Sequence, residues 1–279
     1  GEDYYGNGGK PNMIIAKYSS NGDSMWTYRC QDTLNCSMGF SLTYHNGKIY
    51  AGGFTTDTAY VNENLYTLIV DTLGNVVNEW IFNGKGDAIT MGQFVETDSN
   101  DNVYCAATID RLYANGTDIA IIKYDAAGIL VWEKYFSSFG WNNDTVTSMQ
   151  LDPSGNLILS FSSDSALLKN NYRLGLLKID QNGNFLDTNL YNNPFTGSLL
   201  ANSMAIRNDG SIALAVTSNI FGGMIVSFDN AFNPTWQAKI DSTQFAITQC
   251  NSVSYFPNGD LLACGYSQSG SNYIGLIQK

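Results

Sequence analysis

The sequence predicts an all-β protein assembled from one four-stranded unit that recurs along the chain. Short apolar strands alternate with turns rich in Gly, Asn and Asp, and the sequence contains no amphipathic helix of useful length. Two turn types alternate, and successive copies of each lie 49 to 55 residues apart. A repeated four-stranded antiparallel unit of this period is typical of a β-propeller, in which each unit forms one blade.

The first turn type follows an apolar strand and precedes a strand that contains Trp in four copies. These turns lie at residues 19–22, 71–74, 125–128, 180–183 and 229–232. Gly ends four of them, and Gly can take the positive φ that a tight hairpin needs. The Trp residues are Trp26, Trp80, Trp132 and Trp236. Trp26, Trp132 and Trp236 lie four residues after the end of the turn, and Trp80 lies six after it. Because they recur on the same strand of the repeat, they are expected to pack between blades rather than to bind a ligand.

The second turn type lies between copies of the first, at residues 45–47, 100–101, 153–155, 208–210 and 257–259. Each Asp in these turns is expected to accept backbone N–H bonds. A calcium loop would need several carboxylates at alternating positions. We therefore predict no metal site in the turns.

The fullest copy of the repeat is the stretch 118–136, DIAIIKYDAAGILVWEKYF. Its K-Y-D-x-x-G-x-x-x-W motif, with the later D-x-x-G-N turns, resembles the repeats of bacterial secreted β-propeller proteins. The resemblance covers nearly the whole chain and implies the fold, but such blades support many functions. It also implies a surface protein exported by the type 9 secretion system.

In such repeats the strand before the D-x-x-G-N turn is innermost and the Trp-bearing strand is outermost. On that order, residues 1–279 form a single propeller domain, and residues 1–30 supply strands of a further or closing blade. Blades then begin near Phe40, Phe94, Met149, Met204 and Val253. The chain ends are out of phase with one closed ring, which favours six blades and leaves five or seven open.

The composition narrows the classes of partner. Charged residues make up only 14% of the chain, the net charge is −11 and the isoelectric point is near 4.3. An acidic chain lacks the basic footprint that nucleic acid or anionic lipid would require. No apolar run is long enough to cross a membrane. A surface built from Asn, Ser, Thr and Tyr favours a secreted or cell-surface location.

The cysteines and the single histidine limit the chemistry. Cys30 and Cys36 flank one short loop and are candidates for a disulfide. With one His and no C-x-x-C pair, a zinc site is not expected, and nothing indicates a cofactor. His45 lies in a hairpin turn, and no G-x-S-x-G motif accompanies it. Among the few glutamates, Glu96 is the best candidate acid, although a structural role is the simpler interpretation.

The long connections on one face of the propeller are predicted to bind partners, because long loops on a rigid scaffold usually do. Aromatic and amide side chains in them could stack on sugars or anchor a protein. These candidates are Tyr60, Tyr113, Phe139, Trp141, Asn142, Phe195 and Phe221.

A short Asp-[Ser/Thr] motif is frequent and resembles the O-glycosylation sequence of gliding, type 9-secreting bacteria. Its candidate acceptor residues are Ser24, Thr33, Thr58, Thr72, Thr145, Ser165 and Ser242.

The sequence therefore favours an exported, non-enzymatic propeller that binds protein or glycan at the cell surface. Two alternatives remain open. One is a carbohydrate-active enzyme with an acidic pocket at the channel mouth, and the other is a subunit of a larger surface or secretion-related assembly.

Overall fold

The computed structural model describes residues 2–7, 10–30, 36–56, 63–82, 88–110, 116–138, 143–164, 172–191, 197–240, 247–269 and 272–278. These residues form β-strands and turns without any α-helix, so they contain no helix that could span a membrane. The strands form consecutive antiparallel sheets, each built from neighbours in sequence. The chain divides into two compact units, Gly1–Ser137 and Ser138–Lys279.

The first unit contains three sheets in its described residues. The three-stranded sheet consists of β1 (Glu2–Asn7), β2 (Lys10–Tyr18) and β3 (Ser24–Arg29). The next consists of β4 (Cys36–His45), β5 (Lys48–Thr56), β6 (Glu63–Asp71) and β7 (Val76–Phe82). The last consists of β8 (Ala88–Thr97), β9 (Val103–Asp110), β10 (Thr117–Tyr124) and β11 (Leu130–Phe136).

The described part of the second unit also forms three sheets. The first consists of β12 (Asn143–Leu151), β13 (Leu157–Asp164), β14 (Tyr172–Ile179) and β15 (Phe185–Leu190). The next consists of β16 (Leu199–Ile206), β17 (Ile212–Ser218), β18 (Gly222–Phe228) and β19 (Pro234–Lys239). The three-stranded sheet consists of β20 (Ile247–Tyr255), β21 (Leu261–Ser269) and β22 (Asn272–Gln278).

This architecture confirms the predicted all-β fold of four-stranded antiparallel blades. The residues predicted to begin blades fall in the first strands β4, β8, β12, β16 and β20; they are Phe40, Phe94, Met149, Met204 and Val253. The count of six blades stays a prediction, because it depends on how the two three-stranded sheets are completed.

The Asp-x-x-Gly turns are held by their own side chains. In the turn at 71–74, Asp71 Oδ1 accepts the backbone N–H groups of Leu73 and Asn75 at 2.8 and 2.9 Å. Gly74 closes the turn at φ +89°, which an L-residue rarely adopts. The same bonds recur around Asp125, Asp180 and Asp229. The turn aspartates are therefore structural in these copies.

The second and third strands of each complete sheet form the core. Strand β13 is buried along its whole length, as is β9 except at its last residue. Near-continuous apolar runs are expected for strands that are covered on both faces. The outer strands β7, β15 and β19 are largely exposed, whereas β11 is mostly half-buried.

Successive blades are joined by a large residue on one sheet and a small residue on the next. Trp26 on β3 donates its indole N–H to Thr72 O at 2.9 Å, and its ring lies against Gly74. A Cβ built on Gly74 would lie 2.9 Å from the Trp26 ring. Likewise, a Cβ on Gly128 would lie 2.5 Å from Trp80 Nε1. These contacts show why the Trp and Gly positions recur together.

In one contact between blades, the large side chain lies on the turn instead of on the outer strand. Strand β15 has Asp187 opposite Lys178, where β3 has Trp26 opposite Lys17. The facing turn at 229–232 ends in Phe232 instead of Gly, at φ +60° and fully buried. Lys178 Nζ lies 5.3 Å from the Phe232 ring centroid and donates to Asn230 O at 3.0 Å. The ring on the turn fills the space that a Trp fills elsewhere.

The first strands are joined by hydrogen bonds between side chains and backbone. Within the first unit, the Val95 backbone N–H donates to Ser41 Oγ at 3.0 Å. In the second, Gln150 Nε2 donates to Met204 O at 3.1 Å, and Asn202 Nδ2 donates to Cys250 O at 2.7 Å. Polar residues on first strands therefore fix neighbouring blades, a role that their sequence pattern alone does not reveal.

Candidate functional site

Most of the predicted binding residues lie outside the described residues: Tyr60, Tyr113, Phe139, Trp141, Asn142 and Phe195. Phe221 is described, is half-buried and packs against the core of its unit. Lys239 Nζ lies 3.6 Å from the Phe221 ring centroid, within cation–π range. Packing and this contact account for Phe221, and partner binding by the long loops stays a prediction.

Four of the seven candidate glycosylation residues also lie outside the described residues: Thr33, Thr58, Ser165 and Ser242. Ser24 is exposed at the start of β3, whereas Thr72 and Thr145 are half-buried. Of the three described positions, Ser24 leaves the most room for a glycan, and modification stays a prediction.

The structure does not contain the predicted disulfide between Cys30 and Cys36. Cys30 is a free, buried thiol, and its Sγ lies 3.4 Å from the Tyr66 hydroxyl oxygen. It belongs to an apolar cluster with Met13 and Leu68. Because its side chain points into this core, Cys30 contributes packing; β4 begins at Cys36, whose side chain is outside the described set.

The candidate site that the raised pKa of a buried carboxyl indicates centres on Glu96. Glu96 lies near the end of β8 and pairs with Tyr104 of β9. The residue in the same register on the preceding blade is Thr43, which pairs with Tyr50. Thr43 forms a side-chain hydrogen bond with the Glu96 carboxyl group. The carboxyl is thus placed between the first strands of two adjacent blades.

Burial shifts the protonation of Glu96. Removal from water raises its pKa from 4.5 to about 7, although the hydrogen bonds from Thr97 and Thr43 act in the opposite direction. A carboxyl group with this pKa holds its proton at mildly acidic pH and can donate it. Raised glutamate pKa values of this kind are typical of general acids.

Asp98 lies two residues after Glu96, and its pKa is lowered rather than raised. Burial alone would raise its pKa, but hydrogen bonds from Asn102, Asn100 and Tyr104 outweigh it and lower the pKa. Asn102 Nδ2 and the Tyr104 hydroxyl donate to Asp98 Oδ2 at 2.8 and 3.0 Å. The Asp98 carboxylate is therefore ionised and occupied by its own turn.

The single histidine lies on the same side of the first unit. His45 Nε2 is 3.3 Å from Asp101 Oδ1, which also accepts a 2.9 Å bond from Asn46 Nδ2. Asn46 and Asp101 both have positive φ, in the turns that follow β4 and β8. The pair joins two neighbouring turns, and no serine is seen bonded to His45 among the described residues.

The candidate carboxyl lies at the other end of the first strands from the predicted binding loops. Glu96 is near the tight turn at 98–101, whereas the connection that precedes β8 is one of the long loops. Thr43 and Asp101 are the site residues that sequence analysis missed. The available signal was the equivalent register of Thr43 and Glu96 in the repeat. Among the described residues, no group of three or more His, Cys, Asp or Glu could hold a metal ion.

Comparison with known proteins shows the fold. Neither a protein-family model nor a curated protein sequence matches the chain. A GH43 β-1,3-galactosidase structure is 13% identical with a TM-score of 0.50, and the match covers 95% of this chain and 60% of that one. An exo-β-1,3-galactanase from Phanerochaete chrysosporium with β-1,3-galactotriose is 14% identical with a TM-score of 0.52, covering 96% and 64%.

A puromycin hydrolase structure is 11% identical with a TM-score of 0.56, covering 95% of this chain and 43% of that one. The chain thus spans less than two thirds of each of these proteins. At such identities the likeness is one of fold.

The prediction of a non-enzymatic protein is corrected by these comparisons. Solved structures with this architecture include a galactosidase and a galactanase, which are carbohydrate-active enzymes. The prediction was based on missing catalytic motifs. In a propeller, however, a site can combine groups from different blades, so no short motif needs to mark it.

Proposed function

We propose that this chain is a carbohydrate-active β-propeller that hydrolyses glycosidic bonds, with Glu96 as the general acid. The observation that carries the proposal is the sheltered Glu96 carboxyl between strands β4 and β8, hydrogen-bonded to Thr43. Support comes from the fold shared with a β-1,3-galactosidase and an exo-β-1,3-galactanase. Substrates with β-1,3-linked galactose are therefore the first to examine.

The proposed step uses the proton that burial retains on Glu96. Glu96 protonates the oxygen of the leaving sugar as the bond from that oxygen to the anomeric carbon breaks. Water supplies hydroxide to the anomeric carbon, and its remaining proton returns the acid to its starting state over the full cycle. Glycosidases use a second carboxylate to activate this water or to attack the sugar. We assign Asp98 a structural role in its turn, because its carboxylate oxygens accept four hydrogen bonds.

The test is release of reducing sugar from a panel of β-1,3-galactan, arabinan and xylan, with β-1,4-glucan for comparison. We expect cleavage of at least one galactan and a loss of about 10²-fold or more for Glu96→Gln. The matched control is Asp187→Asn, which removes an exposed carboxylate on outer strand β15. Cleavage that Glu96→Gln leaves intact contradicts the role of Glu96, and inactivity on every glycan contradicts the proposed reaction.

We also propose an extracellular location, at the cell surface or secreted. The low content of charged residues, the acidic isoelectric point and the Asp-[Ser/Thr] motifs support it. Intact mass spectrometry of protein from its natural source is expected to show added sugar mass that falls for Ser24→Ala. An unmodified mass would remove the glycan motif as support.

A further inference from the structure

One contact between blades of the second unit brings together an amine, a carboxamide and a carboxylate. Lys178 on β14 reaches the turn at 229–232, which joins β18 to β19. Its Nζ donates to Asn230 Oδ1 at 2.9 Å and to Asn230 O at 3.0 Å. Asp152 Oδ2 lies 3.8 Å from the same nitrogen. We call Lys178, Asn230 and Asp152 the Lys–Asn–Asp cluster.

The amine and the carboxylate of this cluster are sheltered from water. The side chain of Lys178 is 13% exposed and that of Asp152 is 5% exposed. The fully buried ring of Phe232 has its centroid 5.3 Å from Lys178 Nζ. Charges held away from water are costly, and transfer of one proton from the amine to the carboxylate neutralises both. The site therefore favours proton transfer from Lys178 to Asp152 as the amine reacts.

Asp152 has one oxygen that its own turn leaves partly free. Its Oδ1 accepts two backbone N–H groups of the turn, both at 2.9 Å. Its Oδ2 accepts a bond from Asn156 Nδ2 at 3.1 Å and faces Lys178. The corresponding oxygen of Asp98 accepts a second bond, from the Tyr104 hydroxyl. Asp152 can therefore stabilise its turn and also take a proton from Lys178.

The amide of Asn230 is held beside the amine. Because a C=O bond is about 1.2 Å long, Asn230 Cγ lies within about 4.1 Å of the Lys178 nitrogen. A Cβ built on Gly210 would lie 2.9 Å from Asn230 Cγ, so the amide packs where Gly210 has no side chain. Asn189 Nδ2 donates to Phe232 O at 2.7 Å and fixes the turn. Asn230 itself is exposed, which gives a small leaving group a path to solvent.

The equivalent contact in the first unit lacks the amide. Lys17 Nζ donates to Thr72 O at 3.0 Å, and Thr72 is the second residue of its turn, as Asn230 is in the turn at 229–232. A threonine side chain has no carbonyl carbon that an amine could attack. The bond from lysine to the turn backbone is thus common to both units, whereas the side-chain amide is a feature of Asn230.

We propose that Lys178 and Asn230 form an isopeptide bond, with Asp152 as the proton acceptor. The Lys178 ammonium gives one proton to Asp152, and the free amine attacks Asn230 Cγ. The bond from Cγ to Nδ2 then breaks. Nδ2 leaves as ammonium, taking a second proton from the amine and the proton that Asp152 returns. The product is an amide that joins β14 to a turn 52 positions later, and it requires no co-reactant.

Intact mass spectrometry of the folded full chain, denatured for the measurement, tests for this bond. We expect a mass below that of the sequence by one ammonia and, after proteolysis, a branched peptide that joins Lys178 to Asn230. Lys178→Arg should have the full mass of its own sequence. Asn230→Thr should also have its full mass, and it keeps the fold because Asn230 is exposed. Lys17→Arg is the matched control and should still lose ammonia.

A competing reaction also releases ammonia, which is succinimide formation at an Asn-Gly step such as Asn182-Gly183. That reaction needs no lysine, so an ammonia loss that Lys178→Arg retains overturns the proposal. A wild-type chain at the full mass of its sequence overturns it as well.

The role of Asp152 is tested by the rate of bond formation. The cross-linked fraction, followed over time after cell-free synthesis, should rise at least about a hundredfold more slowly in Asp152→Asn than in the wild type. Equal rates would contradict the assignment of Asp152 as the proton acceptor.

Discussion

Replacing Glu96 with Gln should change how stability depends on pH. The folded state holds the Glu96 proton up to about pH 7, whereas the unfolded chain releases it near 4.5. Between these values the folded state binds more protons, so the free energy of unfolding falls as pH rises. The stabilising contribution is complete below about pH 4.5 and is lost as pH passes through about 7. Gln cannot ionise and lacks this dependence.

The size follows from the two pKa values. At about 1.4 kcal/mol per pH unit, their difference corresponds to about 3 kcal/mol. Glu96 is half-buried rather than fully enclosed, so solvent screening reduces this to about 2 kcal/mol. Relative to the wild type, Glu96→Gln should therefore gain about 2 kcal/mol in unfolding free energy between pH 5 and pH 8.

Urea unfolding of both proteins at pH 5 and pH 8 measures this gain, because all other titrating groups are common to the two chains. Asp187→Asn is the control and should show no such gain, since Asp187 is exposed on β15. A difference between wild type and Glu96→Gln that stays constant with pH, within about 0.5 kcal/mol, would refute the burial of a protonated carboxyl.

Two further predictions concern positions that share a place in the repeat but differ in surroundings. Leu42 is 66% exposed, whereas Met204 in the same register of β16 is 2% exposed. Leu42→Asp should therefore change the unfolding free energy by less than about 0.5 kcal/mol, and Met204→Asp should cost about 3 to 5 kcal/mol in urea unfolding. Equal costs would contradict the burial difference. Gly128→Ala should cost about 2 to 4 kcal/mol, because its Cβ would lie 2.5 Å from Trp80 Nε1 at φ +83°. Gly22→Ala, at φ +87° with open space, should cost only about 1 kcal/mol, and thermal melts that rank the two in the opposite order would argue against the Trp–Gly contact.

The repeat made the blades predictable from sequence. Turns such as 71–74 combine an Asp that accepts two N–H bonds with a Gly at positive φ, and both requirements leave a local signature. The sequence did not reveal that Phe232 on a turn takes the place of a Trp on the outer strand, where β15 has Asp187. That substitution depends on which turn faces which outer strand. The two positions lie 45 residues apart, and neither stretch of sequence by itself marks the pairing.

The candidate site was only partly predictable, and for a similar physical reason. Glu96 was a candidate because glutamates are few, but its raised pKa depends on burial beside Thr43, which lies 53 positions earlier. Cys30 shows the converse error. Its closeness to Cys36 in sequence suggested a disulfide, while the backbone turned its thiol into the core beside Tyr66.

The central claim is that Glu96 donates a proton during glycoside cleavage, and the pH dependence of kcat/KM on the best glycan tests it most directly. A general acid with a pKa of about 7 predicts a rate that falls tenfold per pH unit well above that value. A kcat/KM that stays at the same level between pH 6 and pH 9 would contradict the assignment of Glu96 as the acid.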